Sequence, residues 1–218
     1  MRVTKIAFLT AVALAAALPF VANAQNSAQG RGLYVYGALG QADYGSGDSK
    51  GELDNALRAS GATGVSSSLD TKVTGYKLQA GYKFNQNFGI EGGYVDLGKS
   101  KYTATVTGGS FLADIKVTGW TLAGIGVLPL GNAFSVFGKL GGVYADVKVT
   151  ATARSGTAAA SARGSDTSWS PNYGAGLMYA LSPAATLRLE YERFSNMGGN
   201  NSAKGDVDLL SLGLQWAF

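Results

Sequence analysis

Strict alternation between large apolar and small or polar side chains is the clearest pattern in this chain. In residues 210–218 every even position carries Leu, Trp or Phe, and every odd position carries Ser, Gly, Gln or Ala. The same alternation runs through residues 72–84, 88–94, 134–144 and 186–194, and more weakly through 33–41, 116–128 and 168–180. Successive side chains of a strand point to opposite faces, so the pattern predicts eight β-strands of about ten to fourteen residues. After residue 24 no stretch keeps a helical period, and no helix is expected there.

The connections between these strands alternate in length. Residues 85–87, 129–132 and 181–183 are short and rich in turn-forming residues. The links at 42–71, 99–113, 148–167 and 195–204 are long and rich in Gly, Ser, Thr and Asp, which is typical of solvated loops. This alternation predicts an all-β fold, an eight-stranded antiparallel up-and-down barrel with short turns at one end and four long loops at the other.

Two barrels fit such alternation: a soluble one with its apolar face inward, and a transmembrane one with its apolar face outward. The predicted length of the strands favours the membrane, since about ten tilted residues cross the hydrocarbon. Aromatic residues also gather near the short turns, as in an interfacial girdle. They are Tyr82, Phe84, Phe88, Phe134, Tyr179, Trp216 and Phe218.

The polar face of the predicted barrel carries charged residues of both signs among small ones. Glu91, Lys139, Arg188 and Glu190 are expected to form a polar cluster inside the barrel, because a narrow eight-stranded barrel is filled by its own side chains. Such a cluster is either a paired polar core or an ion path.

The first 24 residues have the three parts of a secretory signal peptide. Two cations, Arg2 and Lys5, precede an apolar run over residues 6–18, and a cleavage site is expected at Ala22, Ala24 and Gln25. The predicted organisation is therefore a signal peptide over 1–24 and an outer-membrane barrel over 25–218. Cleavage removes two of the charges that make the chain +4, and no Lys/Arg-rich run remains that would predict a nucleic-acid partner.

The amino-acid composition excludes several kinds of catalytic and metal-binding site. The 218 residues include no histidine and no cysteine, which excludes disulfides, histidine-based catalytic triads and Cys/His zinc sites. No catalytic, cofactor or metal site is predicted, and the protein is expected not to be an enzyme. Glycine contributes 32 residues, about twice the usual share of roughly 7%. This excess suits strands that curve tightly around a crowded interior.

Residues 89–98, 173–180, 187–191 and 210–218 together resemble the transmembrane barrel of the OmpA family. The resemblance implies that Leu214, Trp216 and Phe218 on the last strand form the signal read by the barrel-assembly machinery. It also matches Glu91 and Arg188 to the family's charged cluster in the lumen. Ile125 and Met178 stand where the other Lys and Glu of that cluster are expected, so the family's gated ion path is not carried over. Because the chain stops at Phe218, the family's peptidoglycan-binding domain is not expected.

The function that follows is a structural protein of the Gram-negative outer membrane that displays four loops. Two alternatives stay open: a small-ion, porin-like pore, and a surface adhesin or receptor acting through the loops. The expected partners are outer-membrane lipid and lipopolysaccharide, the barrel-assembly machinery, and a host or phage surface ligand. A monomer is expected.

Overall fold

The computed structural model describes residues 30–45, 49–198 and 205–218. The predicted signal peptide, with Ala22, Ala24 and Gln25, lies outside these residues. The described part contains one helix and nine strands: β1 (Gly32–Asp43), α1 (Ser49–Ala59), β2 (Ser66–Asp70), β3 (Lys72–Lys83), β4 (Phe88–Val106), β5 (Gly109–Pro129), β6 (Phe134–Ser155), β7 (Ala158–Ala180), β8 (Ala185–Met197) and β9 (Gly205–Ala217). No helix in these ranges is long and apolar enough to cross a membrane.

Eight of the strands close into an antiparallel barrel. The hydrogen-bonded order is β4-β3-β1-β9-β8-β7-β6-β5, and pairing between β5 and β4 completes the ring. The short β2 lies outside this ring and pairs only with the far end of β4. The predicted eight-stranded up-and-down barrel is therefore confirmed.

The apolar face of every barrel strand points outward. On β3, Leu78 is 64% exposed, whereas its neighbours Lys77 and Gln79 are each 2% exposed. The same holds on β9, where Leu212 is exposed and Ser211 is buried. A soluble barrel would show the reverse, so the exterior is a lipid-facing surface.

Aromatic side chains lie on this surface at two levels. The girdle predicted at the short turns is present, with Tyr82, Phe84, Phe88, Phe134, Tyr179 and Trp216 all well exposed. A second row crosses four neighbouring strands nearer the long hairpins, where Tyr94, Trp120, Tyr144 and Trp169 lie directly opposite one another. Such rows mark the two membrane–water interfaces.

The links predicted as loops at 99–113 and 148–167 are instead continuous strand. β4 and β5 stay paired up to Val106 and Gly109, and β6 and β7 up to Ser155 and Ala158. Each hairpin turns over two residues, where Gly108 and Gly156 supply the positive φ that the turn requires. Beyond the membrane a strand needs no apolar face, so these Thr-, Ser- and Ala-rich segments lacked the alternation used to predict strands.

The link at 42–71 was also predicted as an irregular loop, and this was wrong because it contains α1 and β2. α1 ends in a Schellman motif, in which Ala62 N–H donates to Leu57 O and Gly61 N–H donates to Arg58 O. Its apolar side packs over an outer cluster of Tyr102, Ala104 and Ala113 through Leu53 and Leu57. Only two apolar side chains of α1 take part, too few to reveal a helical period. The link predicted at 195–204 lies largely outside the described residues.

Candidate functional site: a charged layer inside the barrel

The structure places all four residues of the predicted interior cluster in the lumen, where each is at most 4% exposed. Arg188 on β8 forms an ion pair with Glu91 on β4, and its Nη2 lies 3.2 Å from Glu190 Oε2. Lys139 on β6 lies 2.9 Å from Glu190 Oε1 and 3.9 Å from Glu91 Oε2. Three strands thus bring two cations and two carboxylates together.

Two further charged residues complete the layer. Lys77 Nζ lies 2.8 Å from both Glu190 Oε2 and Glu192 Oε2, and Lys139 Nζ lies 2.9 Å from Glu192 Oε1. Asn172 Nδ2 donates to Glu192 Oε1 at 2.6 Å. Lys77 and Glu192 fall within the alternating segments 72–84 and 186–194, but alternation within single strands cannot show that their polar faces meet at one height. The layer holds three carboxylates and three cations, so the charges balance.

Aromatic rings fix the guanidinium of Arg188 from both sides. Its Cζ lies 4.0 Å from the ring centroid of Tyr36 and 4.5 Å from that of Phe137. The hydroxyl of Tyr34 donates to Glu91 Oε1 at 2.8 Å. Buried charges are tolerated when they are paired and hydrogen-bonded, and the Arg188–Glu91 pair meets both conditions.

Apolar side chains fill the lumen above and below the charged layer. Toward the short turns, Ile125, Phe137 and Met178 form one cluster. Toward the long hairpins, a larger cluster is formed by Ala42, Val95, Leu97, Val117, Val143, Ala145, Val147, Phe194, Met197, Val207 and Leu209. Ile125 and Met178 therefore face the lumen, as the resemblance implied, but they belong to an apolar layer.

The contacts within this layer are ion pairs and hydrogen bonds. Each carboxylate is engaged by a cation, and the chain has no histidine or cysteine to act as a base or nucleophile. Across the described ranges, no group of three or more metal-ligating side chains comes together.

The predicted assembly residues lie at the short-turn end of the last strand. Leu214 and Trp216 face outward on β9, and the backbone N–H of Phe218 donates to Leu33 O at 3.0 Å. This position leaves the side chains of Leu214 and Trp216 accessible from the lipid. The role of all three residues in assembly stays a prediction.

Known proteins share this sequence pattern. A model of the OmpA-like transmembrane domain matches residues 29–218. Outer membrane protein A of Escherichia fergusonii is 30% identical over 217 residues, which cover 96% of this chain and 55% of that protein. Its counterpart in Yersinia pseudotuberculosis is 31% identical over 212 residues, with the same coverage. The chain thus spans about half the length of these relatives.

Solved structures of outer-membrane proteins are similar to this chain. The outer membrane protein OprG of Pseudomonas aeruginosa superposes with a TM-score of 0.50 at 18% identity, covering 86% of this chain and 96% of OprG. Ail of Yersinia pestis, solved with a heparin analogue, gives a TM-score of 0.48 at 20% identity, covering 86% of this chain and 99% of Ail. Together with the family match, the barrel and its lipid-facing exterior show that the chain belongs to the OmpA-like family of outer-membrane β-barrel proteins.

Proposed function

We propose that the chain is a non-enzymatic structural protein of the outer membrane, closed to ions, with its long hairpins outside the cell. The orientation follows the usual arrangement of such barrels, in which the short turns are periplasmic. In this role the barrel occupies the membrane as a rigid element and carries an ordered sheet above it.

The filled lumen is the observation that carries this proposal. A permeating ion would have to cross two apolar layers and displace charges that already satisfy one another. Leaving a buried charge without its partner costs about 3–5 kcal/mol, and each apolar layer adds a dehydration barrier. The lumen is therefore a stabilising core and not a conduit.

Conductance across planar lipid bilayers tests the closed lumen. We expect the refolded protein to produce no discrete current steps at either polarity, in a bilayer where a large porin conducts. Leu140→Ala, which alters only the lipid-facing surface, serves as a matched control and should behave the same way. Discrete steps whose ion selectivity changes in Lys139→Met would contradict the proposal, because they would place ions at the charged layer.

An envelope role is tested in a deletion strain. We expect the deletion to admit large antibiotics and detergents that the intact envelope excludes. A barrel whose β6–β7 hairpin is shortened, with residues 151–162 replaced by an Asn-Gly turn, should restore the barrier, since it keeps every membrane-spanning pair. If the deletion strain still excludes these antibiotics and detergents, the proposed structural role is contradicted.

A surface adhesin or receptor is the second candidate function. It is favoured because the long hairpins are regular, paired strands. The sheet continues beyond the outer aromatic row for eleven residues on β5, from Trp120 to Gly109, about 36 Å along the strand. A rigid platform of this kind presents fixed side chains to a partner. Loss of cell or phage attachment in the shortened-hairpin strain, with the barrier intact, would favour this candidate.

A further inference from the structure

Three lysines form a row on the outer surface of neighbouring strands. Lys99 on β4 lies directly opposite Lys116 on β5, which lies directly opposite Lys148 on β6. Their side chains are 53%, 48% and 62% exposed. Directly opposite residues have Cβ atoms about 4.5–5.5 Å apart, and like charges in such pairs are destabilising. The row therefore holds three ammonium groups close together at the surface, where an anion could contact more than one of them.

A β-bulge in β4 helps to align this row. Tyr94 lies opposite Trp120 and Asp96 lies opposite Thr118, so an unbroken register would bring Gly98 opposite Lys116. The register shift between Asp96 and Lys99 adds one residue to β4 and makes Lys99 the partner of Lys116. Gly98 supplies the positive φ at this bulge, and its N–H donates to Asp96 Oδ1 at 2.8 Å.

The row lies at the height of lipid headgroups. Lys116 and Lys148 are four residues beyond Trp120 and Tyr144, which belong to the outer aromatic row. Four residues correspond to about 13 Å along a strand, or about 9 Å along the membrane normal at a tilt of ~45°. Because aromatic rows lie at the edge of the hydrocarbon, the three ammonium groups reach the layer of polar headgroups.

Aspartates hold the three ammonium groups in place without using all their donors. Lys99 is paired with Asp114 at 2.7 Å, Lys116 with Asp96 at 3.1 Å and Lys148 with Asp146 at 3.0 Å. A lysine ammonium has three N–H donors, and each of these side chains remains about half exposed. The ammonium groups can therefore donate to a second anion on the lipid side.

On the opposite side of the barrel, the described residues form no such row. There Arg193 is paired with Asp208 at 2.7 Å and Lys72 with Asp43 at 3.9 Å, while Asp43 and Asp208 lie directly opposite each other. Across β8, β9, β1 and β3 the order is therefore cation, acid, acid, cation, and no two of these cations lie on neighbouring strands. Within the part of the chain that the structure describes, the run of lysines lies on β4, β5 and β6.

We infer that Lys99, Lys116 and Lys148 form a binding surface for the phosphate groups of a phosphorylated glycolipid in the outer leaflet. Continuity with the lipid-facing surface selects a membrane lipid as the source of the phosphate. A phosphate bridging two neighbouring ammonium groups would offset the repulsion between them. The choice of the outer leaflet rests on the orientation proposed above. The affinity of the three lysines for phosphorylated lipid does not depend on that orientation.

Binding of lipid A bisphosphate to the full chain in neutral-detergent micelles tests this surface. The triple variant Lys99→Gln, Lys116→Gln, Lys148→Gln should bind roughly 100-fold more weakly, since each basic residue at an anionic lipid surface contributes about fivefold in affinity. A control that removes the same charge far from the membrane, Arg58→Gln, Arg154→Gln, Arg163→Gln, should bind like the wild type. Dephosphorylated lipid A should bind all three proteins equally weakly.

Two further experiments distinguish a lipid-binding surface from a row of lysines that only forms salt bridges, and from a site for free phosphate. Asp96→Asn, Asp114→Asn, Asp146→Asn removes the intramolecular partners and should tighten lipid binding, whereas a loss as large as that of the lysine variant would overturn the inference. Inorganic phosphate should compete only as weakly as sulfate of equal ionic strength, because general screening is then its only effect. Equal affinity of the wild type and the lysine variant would also overturn it. Surface labelling of the hairpins in cells tests the orientation separately.

Discussion

Replacing Arg188 with methionine tests whether the charged layer is a paired core. The change keeps a long, flexible side chain in a fully buried position but removes the guanidinium that contacts Glu91, Glu190 and Gln215. Three carboxylates would then face two cations, so the lumen would carry an uncompensated negative charge. Breaking a buried ion pair in this way costs about 3–5 kcal/mol, and the loss of stacking between two aromatic rings adds about 1 kcal/mol.

The matched variant is Arg188→Met combined with Glu91→Gln, which restores neutrality at nearly constant volume. We expect the double variant to regain about half of the lost stability, because the two residues are in direct contact and their effects are not additive. Urea unfolding in lipid vesicles, followed by tryptophan fluorescence and heat-modifiable gel mobility, measures both. The reasoning fails if Arg188→Met unfolds within 1 kcal/mol of the wild type, or if the double variant is less stable than the single one.

Two further predictions concern glycine packing and the outer helix. A Cβ on Gly213 would lie 2.6 Å from the Cβ of Ala38, so Gly213→Ala should lose about 1–3 kcal/mol of stability. A Cβ on Gly131 would meet nothing within 4 Å, so Gly131→Ala should be neutral and serves as the control. Equal losses of stability in urea unfolding would refute this reasoning. Hydrogen bonds to its carboxylate hold the pKa of Asp54 well below its usual range, and the hydrogen bond from Lys50 has the largest effect. The ionised carboxylate therefore stabilises the docking of α1 at every pH above its unfolded pKa of about 3.9, and this contribution is lost only as the pH falls through the lower folded pKa. Hydrogen exchange in α1, corrected for intrinsic rates, should be constant from neutral pH to about pH 4, and faster in Asp54→Asn; sensitivity of the wild type near neutral pH would contradict the assignment.

The barrel and the outward direction of its apolar face could be predicted because every membrane-spanning strand has the same two surroundings. One face meets hydrocarbon and the other meets a narrow lumen, so the apolar period of two is imposed by the surroundings. Leu212 and Ser211, next to each other on β9, show how sharply that rule applies. The same rule predicts the inward position of Glu91, Lys139, Arg188 and Glu190, and all four are buried in the lumen.

Beyond the outer aromatic row that rule no longer applies, and prediction failed there. Both faces of the outer parts of β6 and β7 meet water, so Ala, Ser and Thr serve equally well on either side and no period appears. α1 has two apolar side chains over the outer cluster, although Gly61 at its C-terminal cap was a readable signal. The contacts of Lys77 and Glu192 required the register between strands, which alternation within single strands does not contain.

Charge balance, more than the position of any one charge, explains how this lumen departs from the pattern expected for its family. Ile125 occupies the place of an expected lysine, yet Lys139 lies directly opposite it on the next strand. Moving the ammonium group by one strand displaces it by about 5 Å, within reach of the same carboxylates. Met178 likewise replaces an expected carboxylate, and it lies directly opposite Arg188 on β8, the strand that supplies Glu190 and Glu192. Because a dry interior penalises net charge far more than it penalises rearrangement, charged residues can exchange places among inward positions provided that cations and carboxylates remain equal in number.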